Sequence, residues 1–261
     1  MMRSLYTAST GMYAQQLNVD NLANNMSNVN TVGFKKQRVE FQDLLYQTIK
    51  RPVSTEETNQ PVGLSVGLGV KPAAIATLFS QGTLQNTENP LDVAINGDAF
   101  FKIMVEGFDE PLYSKDGSFK IDGEGNLVTA DGNKVVGAEQ IDEGAYDVKI
   151  DETGLVSYMI AGQNDAQEAG RIELARFTNP MGLERVGNNL YQATPNSGEP
   201  QDCDLLTDKS VSLIPCHLEM SNVKIVEEMV NLITAQRAYE INSKVIQSSD
   251  EMLQTASNLR R

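Results

Sequence analysis

The two ends of the chain share a hydrophobic pattern that its middle lacks. Residues 4–30 and 222–258 place apolar side chains at a seven-residue repeat, which predicts two amphipathic helices. In the first helix, one row consists of Leu5, Met12, Val19 and Met26. A second row, displaced by three residues, consists of Ala8, Gln15, Leu22 and Val29. Two such rows predict a coiled-coil-like seam.

The second helix alternates large and small rows. Its large row consists of Leu232, Tyr239, Ile246 and Leu253, and its small row contains Ala235 and Asn242. Small side chains beside large ones allow a neighbouring helix to approach closely. Both predicted rows are therefore candidate helix-helix interfaces.

Local signals suggest where these helices begin. Ser4 and Asn222 are predicted N-caps, and Gly33 is predicted to end the first helical segment. Glu227 and Glu228 would lie in the first turn of the second helix, where solvated carboxylates interact favourably with the helix dipole. Acid-base chemistry at this pair is the weaker interpretation.

Two packing arrangements are compatible with this pattern. The helices could form an ordinary hairpin on a β domain, or they could pack against further copies of the chain. The second arrangement is favoured because the polar faces are rich in Asn, Gln and Ser rather than in charged residues. Uncharged polar side chains lose less solvation energy than charged ones when another subunit covers them.

Between the helices, strand-like runs alternate with turn signals at 8–12-residue spacing, which predicts an antiparallel β-rich domain of sandwich or barrel type. Asn96 and Gly97 predict a hairpin that joins strands at 91–95 and 99–105. Residues 34–50 could be extended or form a short helix, and residues 51–70 read as an extended or looped segment with Pro52 and Pro61. The expected fold class is α+β, divided into residues 1–35 with 218–261, a linker at 36–70, and a β domain at 71–217.

Charge is concentrated in the middle of the chain. Of 21 basic and 35 acidic residues, 11 basic and 26 acidic lie within residues 51–214, so this part carries a net charge of −15 while the ends are nearly neutral. An acidic surface argues against nucleic acid as a partner. The chain also has no apolar run that could insert in a membrane and no segment typical of a cleavable signal peptide.

The sequence contains no convincing catalytic, metal or cofactor motif. Cys203, Cys216 and His217 lack the spacing of a zinc site, and structural or free thiols are expected. Residues 122–126 imitate the start of a calcium loop, but the glycine and glutamate that such a loop needs later are missing, which favours a hairpin turn.

Three blocks of sequence resemble bacterial flagellar rod and hook proteins. These blocks are residues 22–35, 80–101 and 221–244. The motif positions that carry the resemblance are Asn24, Asn25, Asn28, Gly33, Phe34, Gln236, Arg237, Tyr239 and Asn242. Residues 46–69 also resemble an insertion found in the members of this family that build the distal part of the rod.

The resemblance implies a self-assembling structural subunit, not an enzyme. It implies export by the flagellar type III apparatus into the envelope, helical polymerisation into a hollow shaft, and contact with proximal rod, hook-side and ring proteins. We expect the two helix seams to form subunit interfaces. We also expect a rod-stiffening segment that includes Tyr46, Ile49, Pro52, Pro61, Gly63 and Gly67.

Other functions compete with this one. The β domain could bind a carbohydrate or an envelope ligand as a soluble module, or the chain could be a proximal rod or hook subunit. A cell-wall enzyme is the weakest alternative because no nucleophile or catalytic dyad stands out.

Overall fold

The computed structural model describes residues 2–51, 53–55, 58–60, 62–142, 144–160, 166–206 and 210–258. The chain divides into two compact units. The first contains residues 1–27, 37–76 and 224–261, and the second contains residues 28–36 and 77–223. Two helices and a β-rich middle confirm the α+β class.

The two helices belong to the first unit. Helix α1 spans Met2–Ser27, and helix α2 spans Ile225–Asn258, within three residues of the predicted bounds. Helix α2 contains neither glycine nor proline, which allows 34 residues to continue as one helix. The predicted cap at Ser4 is wrong, because α1 begins before it and Ser4 lies inside the helix.

Six strands in the described part of the chain complete the first unit. They are β1 (Gln37–Asp43), β2 (Tyr46–Lys50), β3 (Val53–Thr55), β4 (Thr58–Gln60), β5 (Leu64–Gly67) and β6 (Val70–Thr77). Strand β2 pairs with β5, β3 with β4, and β1 with β6. The segment predicted as extended or looped is therefore a paired ribbon, and residues 34–50 contain strands rather than a short helix.

The second unit contains sixteen strands among the described residues. Its first eight are β7 (Leu84–Asn86), β8 (Val93–Asn96), β9 (Phe100–Met104), β10 (Leu112–Ser114), β11 (Lys120–Ile121), β12 (Leu127–Val128), β13 (Lys134–Val135) and β14 (Ala145–Ile150). The others are β15 (Leu155–Ile160), β16 (Gln167–Arg171), β17 (Leu174–Arg176), β18 (Glu184–Gly187), β19 (Leu190–Gln192), β20 (Gln201–Cys203), β21 (Ser212–Pro215) and β22 (His217–Glu219). A short 3₁₀ turn spans Pro180–Gly182.

Strand β9 lies at the centre of the largest sheet, which contains nine strands in the described part of the chain. It pairs antiparallel with β10, β13 and β17. Its side chains alternate between two clusters, as a strand requires. Phe101 and Ile103 enter the main apolar core, whereas Phe100 joins an aromatic cluster with Tyr113 and Tyr191.

The structure corrects one predicted hairpin and confirms another. Strand β8 pairs with β21 instead of returning through Asn96 and Gly97 to β9, so that hairpin prediction is wrong. Ile95 lies opposite Leu213, and both are buried, so a distant strand supplies the partner. The turn at residues 122–126 does join two paired strands, β11 and β12, as the hairpin interpretation required.

Two segments of the second unit, residues 33–36 and 219–222, form what we call the linker contact. Lys35 and Glu219 make an ion pair in which each side chain is only 1% exposed. The Gly33 amide donates to the Glu219 carbonyl at 2.7 Å. Gly33 also has a positive φ of 68°, and a Cβ there would lie 2.8 Å from the Lys115 backbone. Only glycine satisfies both constraints without strain.

Asn222 belongs to this linker contact and does not cap α2 as predicted. Its Oδ1 accepts a hydrogen bond from the Lys36 amide at 2.7 Å. Its Nδ2 donates to the carbonyl oxygens of Leu78 at 2.8 Å and Ser80 at 3.1 Å. The amide side chain therefore ties three stretches of the second unit together.

A second buried lysine lies near this ion pair. The Lys115 Nζ donates to the Gly97 carbonyl at 2.8 Å and lies 5.2 Å from the centre of the Phe100 ring. Burial, together with the nearby Lys35 charge, lowers the Lys115 pKa from 10.5 to about 8. The carboxylates of Glu219 and Asp98 act in the opposite direction.

This lowered pKa predicts how stability changes with pH. Between about pH 8 and 10.5 the unfolded chain holds a proton on Lys115 that the folded chain has lost, so stability rises with pH in that window. From pH 7.5 to 9.5 we expect this lysine to add about 2 kcal/mol to the free energy of unfolding. Urea titrations of the unmodified chain and of Lys115→Met would measure the difference.

The difference between the unmodified chain and Lys115→Met isolates the titration of Lys115, because both proteins contain all the other titratable groups. The raised pKa values of Tyr113 and Tyr191, caused mainly by burial, reduce stability only above about pH 10. Exposed Lys120 supplies the control, and Lys120→Met should keep the pH dependence of the unmodified chain. Equal pH slopes for all three proteins would contradict the prediction.

Candidate assembly surface

Helices α1 and α2 pack antiparallel in the same chain. Three contacts define their register. The Ser4 and Ser249 hydroxyl oxygens lie 3.4 Å apart, Gly11 lies against Asn242, and the Asn25 side chain reaches Glu228. As the contacts move toward the end of α1, they move by the same number of residues toward the start of α2, as antiparallel packing requires. Each helix thus has a partner within its own chain, as the hairpin alternative proposed.

The two helices approach most closely where their side chains are small. A Cβ added to Gly11 would lie 2.9 Å from the Asn242 Nδ2. Glycine inside a helix costs about 1 kcal/mol relative to alanine, so its presence here is explained by the space it leaves. Ala8, Ala14 and Ala235 are also buried. The interface therefore consists mainly of small side chains.

A polar network closes one end of the helix pair. Asn25 is fully buried, and its amide donates to the Gln37 carbonyl at 2.8 Å and to Glu228 at 3.3 Å. Its Oδ1 accepts from the Gln37 amide at 2.9 Å, so the side chain pairs with both backbone groups of one β1 residue. This explains the need for an amide at motif position 25.

Glu228 is an interface residue that sequence reasoning missed. It was predicted to be solvated, but the structure leaves only 1% of it exposed, whereas its neighbour Glu227 is exposed. Both lie in the first turn of α2, where the dipole favours a carboxylate. The seven-residue spacing of Glu228, Ala235 and Asn242 was the available signal.

The predicted seam residues have different degrees of burial. Leu22 and Ala235 are buried. Those that remain partly exposed are Leu5, Met12, Val19, Met26, Leu232, Asn242, Ile246 and Leu253. Tyr239 is exposed. Much of the predicted apolar surface therefore stays accessible beside the helix pair.

The outer face of α2 carries a further apolar row that the sequence analysis did not identify. Val226, Val230, Ile233 and Ile241 are each at least 48% exposed. At 100° per residue, this row lies opposite the face that contains Ala235. We call these four residues the outer row. Its spacing was visible in the sequence, but the direction in which it points depends on the position of α1.

The ribbon made by β2–β5 exposes apolar side chains as well. Tyr46 pairs with Gly67, and Val53 pairs with Gln60 in the same register, so the four strands belong to one long hairpin. Tyr46, Ile49 and Leu64 are all more than half exposed. Gly63 lies between the strands β4 and β5, while Pro52 and Pro61 fall outside the described residues.

The remaining motif positions divide between the two units. In the second unit Phe34 is buried, and the Arg185 guanidinium lies 5.3 Å from the centre of its ring. Asn28 accepts a hydrogen bond from the Thr31 hydroxyl at 3.1 Å. In the first unit Asn24, Gln236 and Arg237 are exposed on the helices.

One cleft of the second unit is lined by charged side chains. It has a volume of about 380 Å³ and includes Lys102, Glu173, Asp202 and Cys203. Lys102 forms ion pairs with Glu173 and Asp202, so these charges already have partners. In the described part of the chain, no group of three His, Cys, Asp or Glu residues could hold a metal, neither cysteine forms a disulfide, and no helix could span a membrane.

Comparisons with known proteins find matches to both helices and to part of the β-rich middle of the chain. Models of three families match: "Flagella basal body rod protein" at residues 5–35, "Flagellar hook protein FlgE/F/G D1 domain" at 94–158, and "Flagellar basal body rod FlgEFG protein C-terminal" at 215–259. A solved hook protein, FlgE2 of Helicobacter pylori, is 15% identical over 62% of this chain and 47% of its own, with a TM-score of 0.25.

Three of the relatives that match along their entire length are each named flagellar basal-body rod protein FlgG. The Borreliella burgdorferi protein is 49% identical over 100% of both chains. The Caulobacter vibrioides protein is 44% identical over 99% of this chain and 100% of its own, and the Bacillus subtilis protein is 38% identical over 100% of both. The chain therefore belongs to the flagellar basal-body rod protein family.

Burial of Glu228 predicts a large difference between two adjacent glutamates. Glu228→Ala should lower the free energy of unfolding by about 2–3 kcal/mol, because it removes an acceptor from Asn25 and leaves space in a closed interface. Glu227→Ala removes only an exposed ion pair with Lys224 and should change stability by about 0.5 kcal/mol or less. Chemical denaturation of both variants measures this, and similar losses would contradict the burial of Glu228.

Proposed function

We propose that this chain is a structural subunit of the distal flagellar rod, which assembles helically into a hollow shaft and transmits torque from the motor to the hook. The observation that carries the proposal is the helix pair. Its interior is closed by small side chains and one polar network, yet one apolar row remains exposed on α2 and another remains partly exposed on α1. Full-length identity of 49% to a relative named as a basal-body rod protein supports this assignment.

The charge distribution supports the same function. Within the described helix α1, Arg3 and Asp20 are the charged residues, so copies can pack along it with little loss of charge solvation. The net charge of −15 within residues 51–214 suits a solvated surface. We therefore assign the inner core of the shaft to the helices that lie within residues 1–35 and 218–261, and its outer part to residues 71–217.

Location and partners follow from this assignment. The subunit would leave the cell through the flagellar type III apparatus without a cleaved signal and act in the cell envelope. Its neighbours in the basal body would be copies of itself, proximal rod proteins, hook-side proteins and the surrounding rings. No catalytic step is required for such a subunit.

Imaging of basal bodies tests the assignment. Cells that lack this gene should be non-motile and should have rods that stop short of the hook, because the distal segment has no subunit. The full-length chain supplied from a plasmid should restore both motility and rod length. Electron cryomicroscopy of isolated basal bodies makes the comparison, and complete rods in the deletion strain would refute the function.

The ribbon of β2–β5 is assigned the task of stiffening the shaft. A two-stranded ribbon is marginally stable alone, and this one exposes Tyr46, Ile49 and Leu64. Both properties favour a position between neighbouring subunits, where the apolar side chains would be covered. Pro52, Pro61, Gly63 and Gly67 belong to the same proposed segment.

Deleting residues 46–67 should leave assembly intact but produce curved or flexible rods. The reason is that the helix pair would still polymerise while the contacts between neighbouring ribbons are lost. A matched control, Gln47→Ser with Thr48→Ala, keeps the length of the ribbon and its exposed apolar residues. Rod curvature in tomograms is the measurement. Equally straight and rigid rods in the deletion strain would contradict the stiffening role.

A further inference from the structure

Two apolar rows are incompletely covered in the single chain. One is the outer row of α2, and the other consists of Leu5, Met12, Val19 and Met26 on α1. The outer row points away from α1, so the helix pair cannot bury it. The α1 row lies beside the small-residue interface and stays partly exposed along its whole length. Each helix thus has a second apolar surface besides the one it uses within the chain.

The two rows match in spacing when the helices run antiparallel. If Val19 of one copy lies opposite Ile233 of another, Met26 falls opposite Val226. Met12 then falls within one residue of Ile241. The contact would extend over about 22 Å of helix at 1.5 Å per residue.

A polymer of identical subunits imposes that antiparallel direction. Helical symmetry gives every copy the same polarity, so when the helices of neighbouring copies lie side by side, α1 of one copy and α2 of the next run in opposite directions, as they do within one chain. Because the two rows are different surfaces, their contact is heterologous. Heterologous contacts do not close on a pair, and they produce rings when the rotation between copies closes and open helical assemblies when it does not.

The charges near these rows permit their burial. Arg237 and Glu240 lie beside the outer row, three residues apart, where they can pair with each other. The long aliphatic stem of Arg237 can cover apolar neighbours while its guanidinium stays in water. Arg3 and Asp20 are the charged residues in the described part of α1. A second copy of the same chain is therefore a partner of matching polarity and spacing.

We propose that the outer row of α2 docks antiparallel on Met12, Val19 and Met26 of a neighbouring copy, with Val19 opposite Ile233. This inference rests on the proposed function and specifies the subunit contact. It assigns two faces to α2, one for α1 of its own chain and one for α1 of the next copy.

Disulfide trapping in isolated basal bodies tests this register. In a background with Cys203→Ser and Cys216→Ser, the pair Val19→Cys and Ile233→Cys should form disulfides between chains on mild oxidation. Immunoblots of non-reducing gels should then show a ladder of oligomers. The pair Ser4→Cys and Ser249→Cys, whose hydroxyls lie 3.4 Å apart within one chain, should give only monomers.

An off-register pair provides the second control. Val19→Cys with Val245→Cys should cross-link far less, because position 245 is twelve residues from position 233 along the helix. The proposed register would be overturned if rods form normally but the cysteine pair at 19 and 233 gives no ladder. It would also be overturned if the pair at 19 and 245 gives an equally strong ladder. Absence of this chain from the rod would instead overturn the proposed function.

A charge substitution decides the question if the cysteine variants fail to assemble. Ile233→Asp should reduce the amount of chain in purified basal bodies by about tenfold or more, since docking would bury an unpaired carboxylate. Asn231→Asp adds the same charge at an exposed position of α2 that is turned about 120° away from the outer row, and it should have little effect. Circular dichroism of both variants checks that the helices remain folded. Normal incorporation of folded Ile233→Asp would refute the docking.

Discussion

The close contact of α1 with α2 constrains the rest of this structure, because it joins segments from opposite ends of the chain. Gly11 lies against Asn242, and Ser4 lies near Ser249, so the backbones approach through small side chains. The small side chains at this contact bury only part of each helix. The larger apolar side chains remain on the flanks and outer faces, where a second molecule can reach them.

Polar groups determine the geometry at two places where apolar packing alone would allow alternatives. Asn25 pairs with the backbone of Gln37 in the first unit, and Lys35 pairs with Glu219 in the second. A buried polar group that loses its partner is costly, so each network favours one arrangement of its segments over shifted ones. Precise positioning of this kind suits a subunit that must repeat identically along a shaft.

The local hydrophobic pattern predicted the secondary structure well but predicted the strand partners poorly. The helix bounds were predicted within three residues, because a seven-residue repeat is a property of neighbouring positions. The prediction of a hairpin at Asn96 and Gly97 was wrong because Ile95 pairs with Leu213, more than a hundred residues away. Turn residues permit a hairpin, but burial of the strand decides which partner it takes.

The family, the α+β class and the presence of apolar rows on two helices could be read from the sequence alone. Three features became apparent only in the folded chain: Glu228 is buried, Asn222 joins linkers instead of capping a helix, and one particular row of α2 faces outward. The physical reason is the same in each case. The periodic spacing of apolar residues indicates that a helix has an apolar side. Whether that side is buried depends on where distant segments of the chain lie.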